Sequence, residues 1–129
     1  MKTFEELGVS DELLLAISEM GFEMPMPVQA KVIPHLLKED NDVVALAQTG
    51  TGKTAAFGLP VLQRIDASLR EPQAVILSPT RELCLQIAED LADFSKYLPE
   101  VKVLPVYGGS SIESQIRSLR KGVQVIVAT

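Results

Sequence analysis

The chain has 129 residues and is 47% hydrophobic, 22% charged and 5% aromatic, with no Trp and a formal net charge of −5. That length and apolar content suffice for about one domain with a buried core, which excludes wholesale disorder. One cysteine, Cys84, excludes an intrachain disulfide framework, and a net negative charge excludes coating of nucleic acid by bulk charge. A local phosphate site remains open, because backbone amides and a few placed cations can build one. Charges at Lys2, Glu5, Glu6, Asp11 and Glu12 break any signal-peptide core. No window reaches the ~18 consecutive apolar residues of a membrane span. The expectation is a cytoplasmic, reducing location with no membrane partner.

The first forty residues read as helical. Ser10 is placed to cap a helix whose inner face is Leu13, Ala16, Ile17 and Met20, and Gly21 fits a left-handed stop. Pro25 and Pro27 follow, with Pro27 suited to the first turn of a second helix reaching about Lys38 and bent at Pro34. Four apolar, β-rich runs come next: Asp42–Ala47, Gln73–Ser78, Val101–Tyr107 and Val123–Thr129. They show little alternation, as expected of strands buried on both faces of a parallel sheet. Helical periods separate them. Leu83, Ile87, Leu91, Phe94 and Leu98 mark a helix from about Thr80 to Tyr97, and Ile112, Ile116 and Leu119 mark another, with Ser110 and Glu113 as its capping box. Helix, helix, then strand and helix in alternation predicts an α/β fold with right-handed crossovers.

The strongest local signal is Ala47-Gln48-Thr49-Gly50-Thr51-Gly52-Lys53-Thr54. It lies between an apolar run and a helical pattern, the setting a phosphate-binding P-loop requires. Gly50 and Gly52 let the backbone curl so that successive N–H groups face phosphate oxygens, and the following helix N-terminus adds partial positive charge. Lys53 is expected to reach the terminal phosphates of ATP, and the Thr54 hydroxyl to ligate Mg²⁺. Ala47 departs from the usual pattern, which has Gly at that position.

The phosphate loop, together with Phe4, the segment Gly21-Phe22-Glu23-Met24-Pro25-Met26-Pro27-Val28-Gln29, Pro79-Thr80-Arg81-Glu82-Leu83 and Gly108-Gly109, resembles the first RecA-like domain of DEAD-box RNA helicases. The matches run in the family's order from Phe4 to the last residue. The resemblance implies a RecA-like P-loop NTPase fold in which residues 1–40 form an adenine-reading helical segment and 41–129 a P-loop α/β core. It implies that Gln29 reads adenine, its amide accepting from N6 and donating to N7. It implies that Phe4 stacks on the base, although a core position beside the first helix is the other reading of that residue. Met26 departs from the family, which has Ser or Thr between the prolines. A methionine cannot make the hydrogen bond that would support the phosphate loop there.

The resemblance also implies that Pro79, Thr80 and Arg81 grip the RNA backbone. Physically, Thr80 and a helix N-terminus offer donors and Arg81 a guanidinium. Ordinary capping by Thr80 and an ion pair of Arg81 are the structural alternatives. Gly108-Gly109 resembles the family's double glycine, which admits a sugar–phosphate chain close to the backbone, and Thr129 resembles the opening of a further RNA-contacting motif. His35 has no partner at metal or triad spacing and reads as a helix surface residue, and Cys84 reads as packing. Within the 129 residues no apolar strand after the phosphate loop ends in an acid, so the Asp-Glu-Ala-Asp motif and the second RecA-like domain are not represented. The chain therefore reads as part of a longer ATP-dependent RNA helicase, inactive by itself. Two alternatives stand beside that reading: another P-loop NTPase, such as a DNA helicase or small-molecule kinase, and a catalytically inactive nucleic-acid-binding module.

Overall fold

The computed structural model describes residues 1–48 and 52–129, which form two compact units, Met1–Arg64 and Ile65–Thr129. The first is helical, with α1 over Asp11–Glu19, α2 over Pro27–Lys38 and α3 over Lys53–Arg64. Leu13, Ala16 and Ile17 form the buried face of α1, as their spacing predicts, while Met20 lies past the helix end and is 39% exposed. Gly21, at φ +92°, supplies the left-handed stop. Pro27 opens α2, where its missing N–H has no intrahelical role. Ahead of α1, Thr3 and Glu6 exchange hydrogen bonds of 3.0 and 3.1 Å. These close a tight turn that turns Phe4 and Leu7 inward. Gln63 then pins the turn to α3: its Nε2 donates to the Gly8 carbonyl at 2.8 Å and its Oε1 accepts from Ser10 N at 2.9 Å.

The second unit is α/β. Strands β1 (Ala74–Leu77), β2 (Val103–Val106) and β3 (Val125–Ala128) alternate with α4 (Arg81–Phe94) and α5 (Ile112–Lys121). All pairing is parallel, with β3 between β1 and β2. Ala74 and Val103 both face Val125, and Leu77 and Val106 both face Ala128. The central strand is the buried one: Val125 and Val127 are fully covered. Against them α4 presents Cys84, Ile87, Leu91 and Phe94, all buried, and Cys84 Sγ donates to the Val127 carbonyl at 3.2 Å, so this cysteine is a packing residue. Thr80 caps α4, its hydroxyl accepting from Leu83 N at 3.1 Å. At α5 the cap is Ser111, which accepts from Ser114 N at 3.2 Å, rather than Ser110. With Ser111 as the cap, the third helical residue is Ser114 rather than Glu113, so the expected capping box does not form and a serine hydroxyl alone caps the helix. None of the residues of α5 is buried, so apolar packing does not hold its start in register.

The expected strand Asp42–Ala47 is not formed. Residues 42–48 have no regular secondary structure, and Val44 and Leu46 are 90% and 95% exposed. β-Branched composition gives a segment strand propensity, but a strand exists only where a neighbour takes up its N–H and C=O groups, and no described strand does so here. In the second unit β1 also departs from expectation. It is an edge strand whose Val75 and Leu77 are 61% and 76% exposed, so it is not buried on both faces. Exposed apolar side chains beside unpaired backbone are a template for association. We expect the 129-residue chain to be marginally stable or to self-associate, with Val44→Lys plus Leu46→Lys shifting it toward monomer. Sedimentation velocity showing a clean monomer of the unsubstituted chain, with cooperative unfolding at a high midpoint, would count against this.

Candidate functional site

The helical unit holds the nucleotide candidates. Lys53 is the first residue of α3, and its Nζ donates to the Ala47 carbonyl at 2.9 Å, so the loop's lysine bridges the two ends of the motif. Thr49, Gly50 and Thr51 lie outside the described residues. Gln48 is exposed and Thr54 half-buried in the first turn of α3. Gly52 has φ +81°, a conformation suited to glycine, and its carbonyl accepts from Ala56 N at 3.2 Å.

Gln29 is the centre of this arrangement. It is 2% exposed, on the first turn of α2. Its Oε1 accepts from Met26 N at 2.9 Å, the half of a capping box in which the third helical residue reaches back to the cap. Its Nε2 donates to the Gly52 carbonyl at 3.2 Å. A Cβ on Gly52 would collide with that Nε2. The second glycine of the loop is therefore required twice, for its positive φ and for the seat of Gln29. The upstream segment and the phosphate loop, 23 residues apart in sequence, are joined through one side chain. Sequence reasoning picked out Gln29 and Gly52 separately; their contact has no local signal. Among the described residues Met26 makes no side-chain hydrogen bond to the loop, and a Cβ on Gly52 would lie 3.6 Å from its Cγ, an apolar contact.

Phe4 is 4% exposed and packs on Phe22, with ring centroids 6.0 Å apart and an interplanar angle of 50°. In this conformation it is a core aromatic of the first turn, its ring covered. His35 also differs from expectation. Instead of standing on the surface, it is half-buried, and its Nε2 has no hydrogen-bond partner among the described residues.

The α/β unit holds the second group. In a parallel sheet, segments following the carboxyl ends of strands share one edge. Pro79–Arg81 follows β1, Gly108-Gly109 follows β2, and Thr129 follows β3, with its N–H donating to the Val106 carbonyl at 3.3 Å. All six residues are exposed. Arg81 and Gly109 meet: a Cβ on Gly109 would lie 2.9 Å from Arg81 Nη1, and Gly109 has φ +93°. The double glycine thus leaves room for the guanidinium. Arg81 Nη2 is 3.9 Å from Glu82, a loose pair with both side chains more than half exposed, which leaves the guanidinium available to an anion. Gln115 holds the loop from the other side, its Nε2 donating to the Tyr107 carbonyl at 3.2 Å.

The donor set bears on the cofactor. Among the described residues there is no group of three or more His, Cys, Asp or Glu that could hold a metal ion. One threonine hydroxyl does not retain Mg²⁺ alone, because this cation takes one or two protein groups together with substrate phosphates. Thr54 therefore fits a metal that arrives with a nucleotide. No described helix is long and apolar enough to cross a membrane.

A family model described as DEAD/DEAH box helicase matches residues 26–129. The chain is 50% identical over 127 residues to the ATP-dependent RNA helicase DeaD of Escherichia coli, covering 98% of this chain and 20% of that protein. Among solved structures it resembles the RNA helicase Prp28 of Chaetomium thermophilum bound to ADP, with 39% identity and a TM-score of 0.88 over 100% of this chain and 32% of that one. It also resembles Dbp5 of Saccharomyces cerevisiae bound to RNA and ADP BeF3, with 37% identity and a TM-score of 0.88, again over 100% of this chain and 32% of that one. A P-loop α/β chain with these motifs, matched by that family model over most of its length, belongs to the DEAD/DEAH box helicase family.

Proposed function

We propose that this chain is the nucleotide-binding portion of an ATP-dependent RNA helicase, in which ATP binding and hydrolysis drive the remodelling of RNA duplexes. Residues 1–40 serve as the adenine-reading segment and 41–129 as the P-loop core. A second RecA-like domain, outside these 129 residues, completes both sites. The observation that carries this reading is the bridge from Met26 through Gln29 to Gly52, because it couples the proposed base reader to the phosphate loop. The Gln29 segment together with Pro79–Leu83 argues against another P-loop NTPase such as a small-molecule kinase or DNA helicase, and Lys53 and Thr54 behind a glycine-rich loop argue against an inactive nucleic-acid-binding module.

Lys53 and the α3 N-terminus hold the phosphates of the nucleotide, and Thr54 contributes a hydroxyl to the Mg²⁺ that accompanies it. The metal neutralises phosphate charge when bound. The acid that orients water is not among the proposed site residues, so the chain alone binds nucleotide without turning it over. Titration with ADP and GDP, with ATP hydrolysis followed in parallel, tests this. Weak ADP binding, preferred over GDP, with turnover near background is the expected result. Robust hydrolysis by the chain alone would overturn the claim that its catalytic set is incomplete.

RNA engages the exposed edge formed by Pro79, Thr80, Arg81, Gly108, Gly109 and Thr129, through phosphate and sugar and so without sequence preference. Half a site binds weakly and with strong salt dependence. Arg81→Ala is expected to weaken single-stranded RNA binding and to flatten the plot of log affinity against log salt by about one unit, the signature of one lost phosphate contact. An unchanged slope and affinity would remove Arg81 from the interface.

A further inference from the structure

The opposite edge of the sheet carries a feature that the nucleotide and RNA sites do not use. At the amino ends of the three strands lies a cavity of about 530 Å³, bordered by Arg70, Glu100, Lys102, Ser118, Lys121 and Gln124. Arg70 precedes β1, Lys102 precedes β2, and Lys121 ends α5 just before β3. Three cations from three separate segments therefore converge around one carboxylate, in a chain whose net charge is −5. None of the three cations forms an ion pair among the described residues, unlike Arg64 with Asp40 and Arg81 with Glu82. Lys121 offsets the negative end of α5, roughly half a charge. Arg70 and Lys102 have no such duty.

The walls are fixed from below. Gln124 is 1% exposed and fully bonded. Its Nε2 donates to the carbonyls of Leu69 and Glu100, each at 3.1 Å, and its Oε1 accepts from Lys102 N at 2.8 Å. One buried amide thus ties together the two loops that present Arg70 and Lys102. Gly122 fixes the third wall. At φ +102°, it lets the end of α5 approach so closely that a Cβ there would lie 2.7 Å from Arg70 Cβ. Charges on loops held in this way lose little conformational freedom on binding, which is the condition for a preorganised anion site.

We propose that this cavity binds a phosphoryl group, with Arg70 and Lys102 as its charged contacts and Lys121 at its rim. A guanidinium and two ammonium groups at one concavity match the multiple oxygens of a phosphate, and charge-assisted bonds of this kind are the strong ones. The cavity, at about 530 Å³, has room for more than a bare phosphate ion. The source of the phosphoryl group is either a small phosphorylated molecule or the phosphodiester of a strand reaching this edge.

Equilibrium dialysis with labelled pyrophosphate tests the site at constant ionic strength. The reference protein is the 129-residue chain carrying Lys53→Ala, which removes the phosphate-loop lysine from the count. Saturable binding of about one equivalent is expected. Adding Arg70→Gln and Lys102→Gln, both at exposed positions, is expected to weaken it at least tenfold, roughly the worth of one charge-assisted contact. Adding Lys38→Gln instead, at an exposed cation outside this cavity and outside both proposed sites, is expected to leave it unchanged. Circular dichroism of each variant confirms that the fold is retained. Competition by a single-stranded oligoribonucleotide without terminal phosphates identifies the phosphodiester as the source, and its failure to compete identifies a small phosphorylated ligand. Absence of saturable binding, or equal affinity with and without Arg70 and Lys102, overturns the proposal.

Discussion

Lys53→Ala is expected to abolish measurable binding of ADP and GDP alike. Among the described residues the lysine's Nζ donates to the Ala47 carbonyl at 2.9 Å, and the residue is exposed at the start of α3. A nucleotide phosphate offers the same ammonium a charged acceptor in place of a neutral one, which roughly doubles the strength of the bond. Removing a hydrogen bond to a charged group costs about 1.5–3 kcal/mol, or roughly ten- to a hundredfold in affinity. Applied to a site that is weak at the outset, that loss places binding beyond the range of titration. Stability responds differently, because substitutions at exposed positions usually change it by no more than about 0.5 kcal/mol. Calorimetric titration and thermal unfolding of the same variant separate the two. Retained ADP binding removes Lys53 from the phosphate site, and a collapse of the melting temperature would make the loss of binding a folding effect.

The helices were legible because their signals are local. Pro27, Gly21 and Thr80 mark the ends of α2, α1 and α4 by backbone constraint or capping chemistry, and the period of Leu13, Ala16 and Ile17 marks a buried face. Three of the four expected strands formed within two residues of their predicted bounds, since Val-, Ile- and Leu-rich runs beside helices of the right period favour a parallel sheet. The fourth run, 42–47, has the same composition and does not form a strand. A strand is a property of two segments, and composition reports on only one of them.

The candidate site divides along the same line. Motif residues stood out by type and spacing, and the parallel sheet gathers Arg81, Gly109 and Thr129 at one edge as that reading required. Contacts between motifs had no such signal. The seat of Gln29 on Gly52, the covering of Phe4 by Phe22 and the tie of Gln124 to two loops each join residues at least 18 apart in sequence. Each depends on a side chain's full hydrogen-bonding or packing capacity being met in three dimensions, which a linear pattern does not encode. Phe4 shows the consequence. Its aromatic character suits both a base stack and a core, and burial decides for the core in this conformation.

Gln29→Ala is expected to erase the preference for ADP over GDP and, separately, to loosen the phosphate loop. Adenine presents an N6 donor and an N7 acceptor, which one amide satisfies together, whereas guanine places an acceptor where the N6 amine would be. A bidentate pair of this kind discriminates by roughly 1–3 kcal/mol, or about ten- to a hundredfold. In the present conformation one lone pair of Oε1 and one N–H of Nε2 are engaged, by Met26 N and the Gly52 carbonyl. The amide's second lone pair and second N–H are the capacity left for a base, so the proposed recognition does not require release of the loop from α2. Alanine removes both roles at once. Met26 N loses its side-chain acceptor, while the Gly52 carbonyl keeps Ala56 N. The expected destabilisation is about 1–3 kcal/mol, that of one buried polar group left unpaired. Gln29→Glu separates the two effects. It keeps an acceptor for Met26 N but cannot donate to N7, so base preference should fall while the α2 cap persists. Titration of the three proteins with ADP and GDP, alongside thermal unfolding, reads both quantities. Equal affinity for the two nucleotides in the unsubstituted chain would end the adenine-reading role. Unchanged stability in Gln29→Ala would show that the bridge to Gly52 holds nothing together.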